Sequence, residues 1–267
     1  MNHPIFKQFS IKCVAVMLFL CAPAFFTFAA PEKEADNDSD ITVLASTSWT
    51  KAFAEAAGAK NVKALAPSHM LHPAEYELKP SDFSTIKNAD FFIYAGYEVM
   101  METIQDRLNI SEDKKIAIET RYDRKTLTAS IQKIAEKLGT TEHADKTIKN
   151  LKDIYSKAES AMKQASLNGK SAFVHQFQVP LAKELGLKVL GVFGPAPLEA
   201  AQIAKFNKTS GAESAALIID NEHNPVATPL KEIFPQAEYA LLVNFPGMHD
   251  TVTLADVLKY NIKQITQ

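Results

Sequence analysis

The sequence predicts an α/β protein of two lobes, each a mostly parallel sheet flanked by helices, joined by one long linking helix. Three observations lead there. Short apolar runs alternate with helical stretches from Ile41 onward, the pattern of parallel strands buried on both faces. That alternation is interrupted once, by about forty residues without a strand signal. It then resumes to the end of the chain, so each half holds its own set of strands.

The elements follow in order. ITVLAS (Ile41–Ser46) reads as the first strand, and Ser48 as the cap of a helix running through Ala57. NVKALAP is a second strand, followed by a loop with His69 and His72 and a short helix from near Pro80. DFFIYA (Asp90–Ala95) and KKIAIE (Lys114–Glu119) are the third and fourth strands. From about Arg124 to Leu167 no strand is expected. Within it, Glu142 to Ser166 lacks proline and glycine, and Ile148, Leu151, Ile154, Tyr155, Ala158 and Met162 recur at spacings of three and four. This is one amphipathic helix, nearly 40 Å long at about 1.5 Å per residue, stopped by Asn168-Gly169. Afterwards KSAFVH, LKVLGVF, SAALIID and EYALLVN read as strands. QVPLAKELG, Pro197 to Lys208, Pro225 to Phe234 and Leu254 to Ile265 read as helices. The expected organisation is an N-terminal lobe over 41–141, the linking helix over 142–168 and a C-terminal lobe over 169–267.

Residues 1–30 read as a secretory signal peptide: Lys7 and Lys12 precede an apolar run from Cys13 to Phe28, with small residues for cleavage at Thr27-Phe28-Ala29 or Ala29-Ala30. The run is short for a membrane span. A lipid anchor on Cys21 is the rival reading, disfavoured because Leu20 stands where a small residue is expected. PEKEADNDSD (Pro31–Asp40) reads as a disordered acidic spacer. The expected location is therefore periplasmic or exported.

Both cysteines lie within the leader, so the remaining 237 or so residues have no disulfide, thiolate ligand or cysteine nucleophile. Of the 29 basic residues, Lys7 and Lys12 also leave with it, giving 27 against 31 acidic and a net charge of −4. This excludes nucleic acid or an anionic membrane as the main partner. A monomer is expected. HExxH spacing, a nucleophile elbow and a glycine-rich phosphate loop are all missing, and the chain has nine glycines. A zinc hydrolase using Glu222 as base is therefore set aside, and no enzyme is expected.

The chemistry resides in the histidines. His72, His175, His223 and His249 each follow a strand-like run, and ligands of open α/β sheets bind in loops at the carboxyl ends of strands. Glu222 adjoins His223, and Asp250 adjoins His249. Imidazoles and carboxylates converging there make a nitrogen/oxygen metal site. His143, inside the long helix, and His69 read as surface residues. A larger cleft for a metal chelate or small organic ligand is the competing reading, with Trp49, Tyr76, Phe177 and Phe245 as its walls.

Two stretches carry a family resemblance. YELKPSDFSTIKNADFFIYAGYE (Tyr76–Glu98) resembles the metal-binding solute-binding proteins of bacterial ABC importers for zinc and manganese. In those a histidine-bearing loop leads into Tyr-Glu-x-x-Pro-Ser-Asp. FVHQFQVPLAKELGLKVLGVF (Phe173–Phe193) matches a second segment, with His175 ending a strand eleven residues before Gly186-Leu187. The resemblance implies His175 as a ligand directly and His72 with a shift, since Ala74 stands where the family's first histidine falls. Val192 or Phe193 occupies the third ligand position, so Glu222 or His223 is expected to replace it. Asn244 stands where an aspartate is usual, and His249 or Asp250 is expected to supply the fourth ligand. It also implies a membrane permease of an ABC importer as partner and a divalent metal as cargo. Three imidazoles favour zinc; with Glu222 and Asp250 instead, manganese or iron fits. Affinity is expected to fall below about pH 6.5, where histidine protonates.

Overall fold

The structure is a computed structural model that describes residues 41–267. The segments read as a signal peptide and an acidic spacer, with Cys21, lie outside the described residues. Two four-stranded sheets, both wholly parallel, carry the two halves. The first has β1 (Thr42–Ala45), β2 (Asn61–Ala64), β3 (Phe91–Tyr94) and β4 (Lys115–Ala117) in the order β2-β1-β3-β4. The second has β5 (Ser171–His175), β6 (Lys188–Phe193), β7 (Leu217–Asn221) and β8 (Glu238–Leu242) in the order β6-β5-β7-β8. The two orders are the same, and in each the direction of winding reverses beside the first strand. Such a reversal opens a crevice at the carboxyl edge.

The helices are α1 (Ser48–Ala56), α2 (Pro80–Asn88), α3 (Met100–Arg107), α4 (Arg124–Leu138), α5 (Thr141–Gln164), α6 (Val179–Glu184), α7 (Ala200–Asn207), α8 (Thr228–Ile233) and α9 (Leu254–Thr266). α5 is the long linking helix, and the six apolar positions that predicted it are all buried. Four local readings differ. Thr47, not Ser48, caps α1, because its hydroxyl accepts from the Thr50 N–H while Thr50 returns a bond to the Thr47 backbone. The long helix stops at Gln164, before Asn168-Gly169, as Ser166 turns left-handed at φ 57°. α7 begins at Ala200, so Pro195 and Pro197 precede it rather than opening it. α3 carries no signal strong enough to be expected from the sequence.

Alternation along each strand explains why every run is apolar throughout. Val43 and Ile93 face a core shared by both halves, whereas Leu44 and Phe92 face an outer cluster with Met100 and Ile104. Ala172, Val174, Leu217 and Ile219 face the same shared core, and Phe173 and Ile218 face a second outer cluster with Phe206 and Phe234. The linking helix is not alone in joining the lobes. α9 returns to pack on both α5 and α1. Arg124, at the start of α4, pairs with Glu184 of α6 at 3.0 Å and with Glu159 of α5 at 2.7 Å.

Candidate functional site

The carboxyl ends of both sheets open on one cleft of about 810 Å³. The first lobe contributes Trp49 from α1, Leu71 and His72 from the loop after β2, Tyr97 after β3, and Thr120 and Arg121 after β4. The second contributes Phe177 after β5, Pro195 after β6, His223 after β7, and Asn244 and Phe245 after β8. All these segments follow strands, so the topology alone brings them together.

Among the described residues, His223 is one of the buried polar groups of this cleft and its only buried imidazole. It is 5 % exposed, its ring lies 3.9 Å from that of Phe245, and its Nδ1 accepts the Asn244 N–H at 3.3 Å. Its Nε2 is buried and has no hydrogen-bond partner. Burial drives its pKa down to about 4, with nearby His72 adding to the effect. His223 is thus a neutral imidazole across the physiological range, the form that binds metals. It also stays neutral well below the pH 6.5 expected from the sequence. With Nδ1 accepting, the neutral ring carries its proton on Nε2. Metal ligation through Nε2 needs the other tautomer and gives up the long bond from Asn244. The Nε2–H of the Nδ1-accepting form is an orphaned buried donor costing about 1–3 kcal/mol; ligation at Nε2 removes it but leaves the Asn244 N–H without its acceptor.

His175 is placed differently from the expectation. It ends β5 fully buried, its Nδ1 accepts the Phe177 N–H at 3.3 Å, and Nε2 again has no partner. It does not line the cleft. Gly194 lies against its Nε2 so closely that a Cβ there would fall 2.3 Å away. Burial lowers its pKa to about 4, opposed by the charge of Asp220.

Glu222, His249 and Asp250 do not reach the cleft either. His249 Nε2 meets Glu222 Oε2 at 2.6 Å, and its ring stacks on Tyr260 at 4.6 Å. His249 and Asp250 are both left-handed, at φ 51° and 58°, in a turn held by Thr251 bonds to Gly247 and Met248. That turn carries the pair outward, and Asp250 is exposed. Asn244 is occupied: its Oδ1 accepts from Gln178 Nε2 at 2.7 Å. Of the expected ligands, His72 and His223 alone line the cleft, from opposite lobes. Among the described residues no three histidine, aspartate or glutamate side chains converge on a common point able to hold an ion.

Trp49, Phe177 and Phe245 line the cleft, as the competing reading expected. Tyr76 does not. It is buried in the outer cluster of the first lobe, where its hydroxyl donates to Asp82 at 2.9 Å. Sequence reading missed Arg121 and Tyr97, although both follow strands and the rule that selected the histidines covers them. It also missed Asp220. This buried carboxylate accepts from the Asn221, Val226 and Ala227 N–H groups and from the Tyr239 hydroxyl, fixing the β7 loop that carries His223.

Two parallel sheets with a cleft across their carboxyl ends define a two-lobed α/β fold. No protein-family model matches the chain, and no curated protein does by sequence. Solved structures do share the fold. A Mn-bound periplasmic metal binding protein from Candidatus Liberibacter asiaticus superposes with a TM-score of 0.66 at 15 % identity, over 85 % of this chain and 98 % of that one. The solute-binding protein FpvC of Pseudomonas aeruginosa in complex with Ni2+ gives 0.67 at 16 % identity, over 85 % and 95 %. The metal-dependent lipoprotein YcdH from Bacillus subtilis gives 0.63 at 18 % identity, over 85 % and 98 %.

Proposed function

We propose that this protein is an extracytoplasmic solute-binding protein that captures a divalent transition metal between its lobes and passes it to a membrane permease. Zinc is the favoured ion on the strength of imidazole donors, with manganese or iron as alternatives. The observation that carries this reading is His223: a buried, neutral imidazole whose Nε2 lacks any partner, facing His72 of the other lobe. Support comes from the shared fold, since the solved structures above are described as metal-binding periplasmic proteins or a metal-dependent lipoprotein. The role is binding rather than catalysis. This reading is supported by solved structures of the same fold described as periplasmic metal-binding and solute-binding proteins.

Calorimetric titration of the chelator-treated protein with zinc and manganese tests it. One equivalent should bind, and His223→Ala and His72→Ala should each weaken affinity at least tenfold. Unchanged affinity in both variants would remove the cleft from metal binding.

A further inference from the structure

We propose that the metal enters this cleft already complexed, as a near-neutral chelate with a small carboxylate-bearing organic ligand. This inference rests on the metal-capture reading. Zinc takes about four ligands, and the cleft offers two imidazoles, His72 and His223, with no larger cluster among the described residues. Two or more positions are therefore left for donors that the cargo brings.

The size and lining of the cleft fit such a cargo. A volume of about 810 Å³ falls within the range of small-molecule sites, roughly 300–1,000 Å³, and far exceeds what an ion fills. Leu71, Tyr97 and Phe177 line it while 58 %, 54 % and 43 % exposed. A bare ion buries none of that apolar surface, whereas an organic chelator covers it. The polar groups point the same way. Arg121 lines the cleft half-exposed, paired through one amino group with Glu119 and 3.9 Å from Asp123 through Nε, and its remaining N–H groups can donate to a carboxylate. Trp49 also lines the cleft with its ring, its buried indole N–H lying beside the buried Tyr122 hydroxyl. Glu119, which pairs with Arg121, and Glu75 are the acidic groups of the lining. Charges of both signs disfavour a strongly anionic complex, so one divalent ion balanced by two carboxylates fits best. His72 and His223 then take the ion's open positions, Arg121 takes a carboxylate, and the apolar wall, with the Trp49 ring, covers the chelator's body.

Zinc dipicolinate is a suitable probe, being neutral, aromatic and tridentate. Calorimetry compares it with zinc alone and dipicolinate alone. Fluorescence of Trp49, the single tryptophan of the chain, reports occupancy. The chelate should bind at least tenfold more tightly than zinc in a non-coordinating buffer, and Arg121→Ala and Phe177→Ala should each bring that ratio toward one. If zinc alone binds at least as tightly and dipicolinate strips it from the protein, the chelate inference fails while metal capture stands. If dipicolinate alone binds as tightly as its zinc complex, metal capture itself fails. Absence of heat in all three arms overturns both.

Discussion

His175 and Gly194 sit in direct contact at the carboxyl ends of neighbouring strands β5 and β6, with the glycine against the imidazole Nε2. Gly194 has a φ of 74° and no side chain. Any other residue there meets both a strained backbone and the buried ring. Gly194→Ala should therefore destabilise the protein by about 2 kcal/mol or more. Urea denaturation monitored by Trp49 fluorescence measures it; a loss under 0.5 kcal/mol, roughly the size of a neutral surface change, would mean that the ring has room to move.

The two buried histidines give the metal-free protein a defined response to acid. Both have folded pKa values lowered to about 4 from 6.5. The unfolded chain therefore binds more protons between those values, and stability must fall as pH drops from 6.5 toward 4. At pH 5 the loss should be about 2 kcal/mol for each histidine relative to pH 7.5. His175→Gln should remove about half of this dependence. A urea midpoint equal at pH 7.5 and pH 5 would contradict the burial of both rings.

Asp220 organises the loop that presents His223. Removing its carboxylate leaves the Val226 and Ala227 N–H groups and the Tyr239 hydroxyl without their acceptor. Asp220→Ala should cost at least about 3 kcal/mol, since each orphaned buried donor carries its own desolvation penalty. Asp220→Asn keeps one acceptor oxygen and should fall between the two. Thermal denaturation of the three proteins ranks them, and an order with Asn below Ala would show that the carboxylate is not the organiser.

His249 and Glu222 form a pair outside the cleft, with His249 41 % exposed at its side chain. Partly exposed pairs contribute about 0–1 kcal/mol. His249→Ala should leave zinc affinity within about threefold of the parent, in contrast to His223→Ala. A tenfold loss in the His249 variant would bring that pair back into the metal site.

Sequence alone specified the fold class, because doubly buried parallel strands need apolar residues on both faces and the long helix needs its stripe at spacings of three and four. Both are periodic and local: Leu217, Ile218 and Ile219 read as a strand whichever core each one joins. Sequence also marked the loops that face the cleft, since each follows a strand. It did not settle which histidines point inward. His175, the cleanest match to the expected ligand pattern, ended beneath Gly194, and His249 was turned outward by two left-handed residues. Those outcomes depend on the approach of segments distant in the chain and on backbone angles that residue identity only biases. Tertiary packing likewise decided that α9 would brace both lobes and that Arg121 would join the cleft. Such contacts form between surfaces that only the assembled sheets bring within reach.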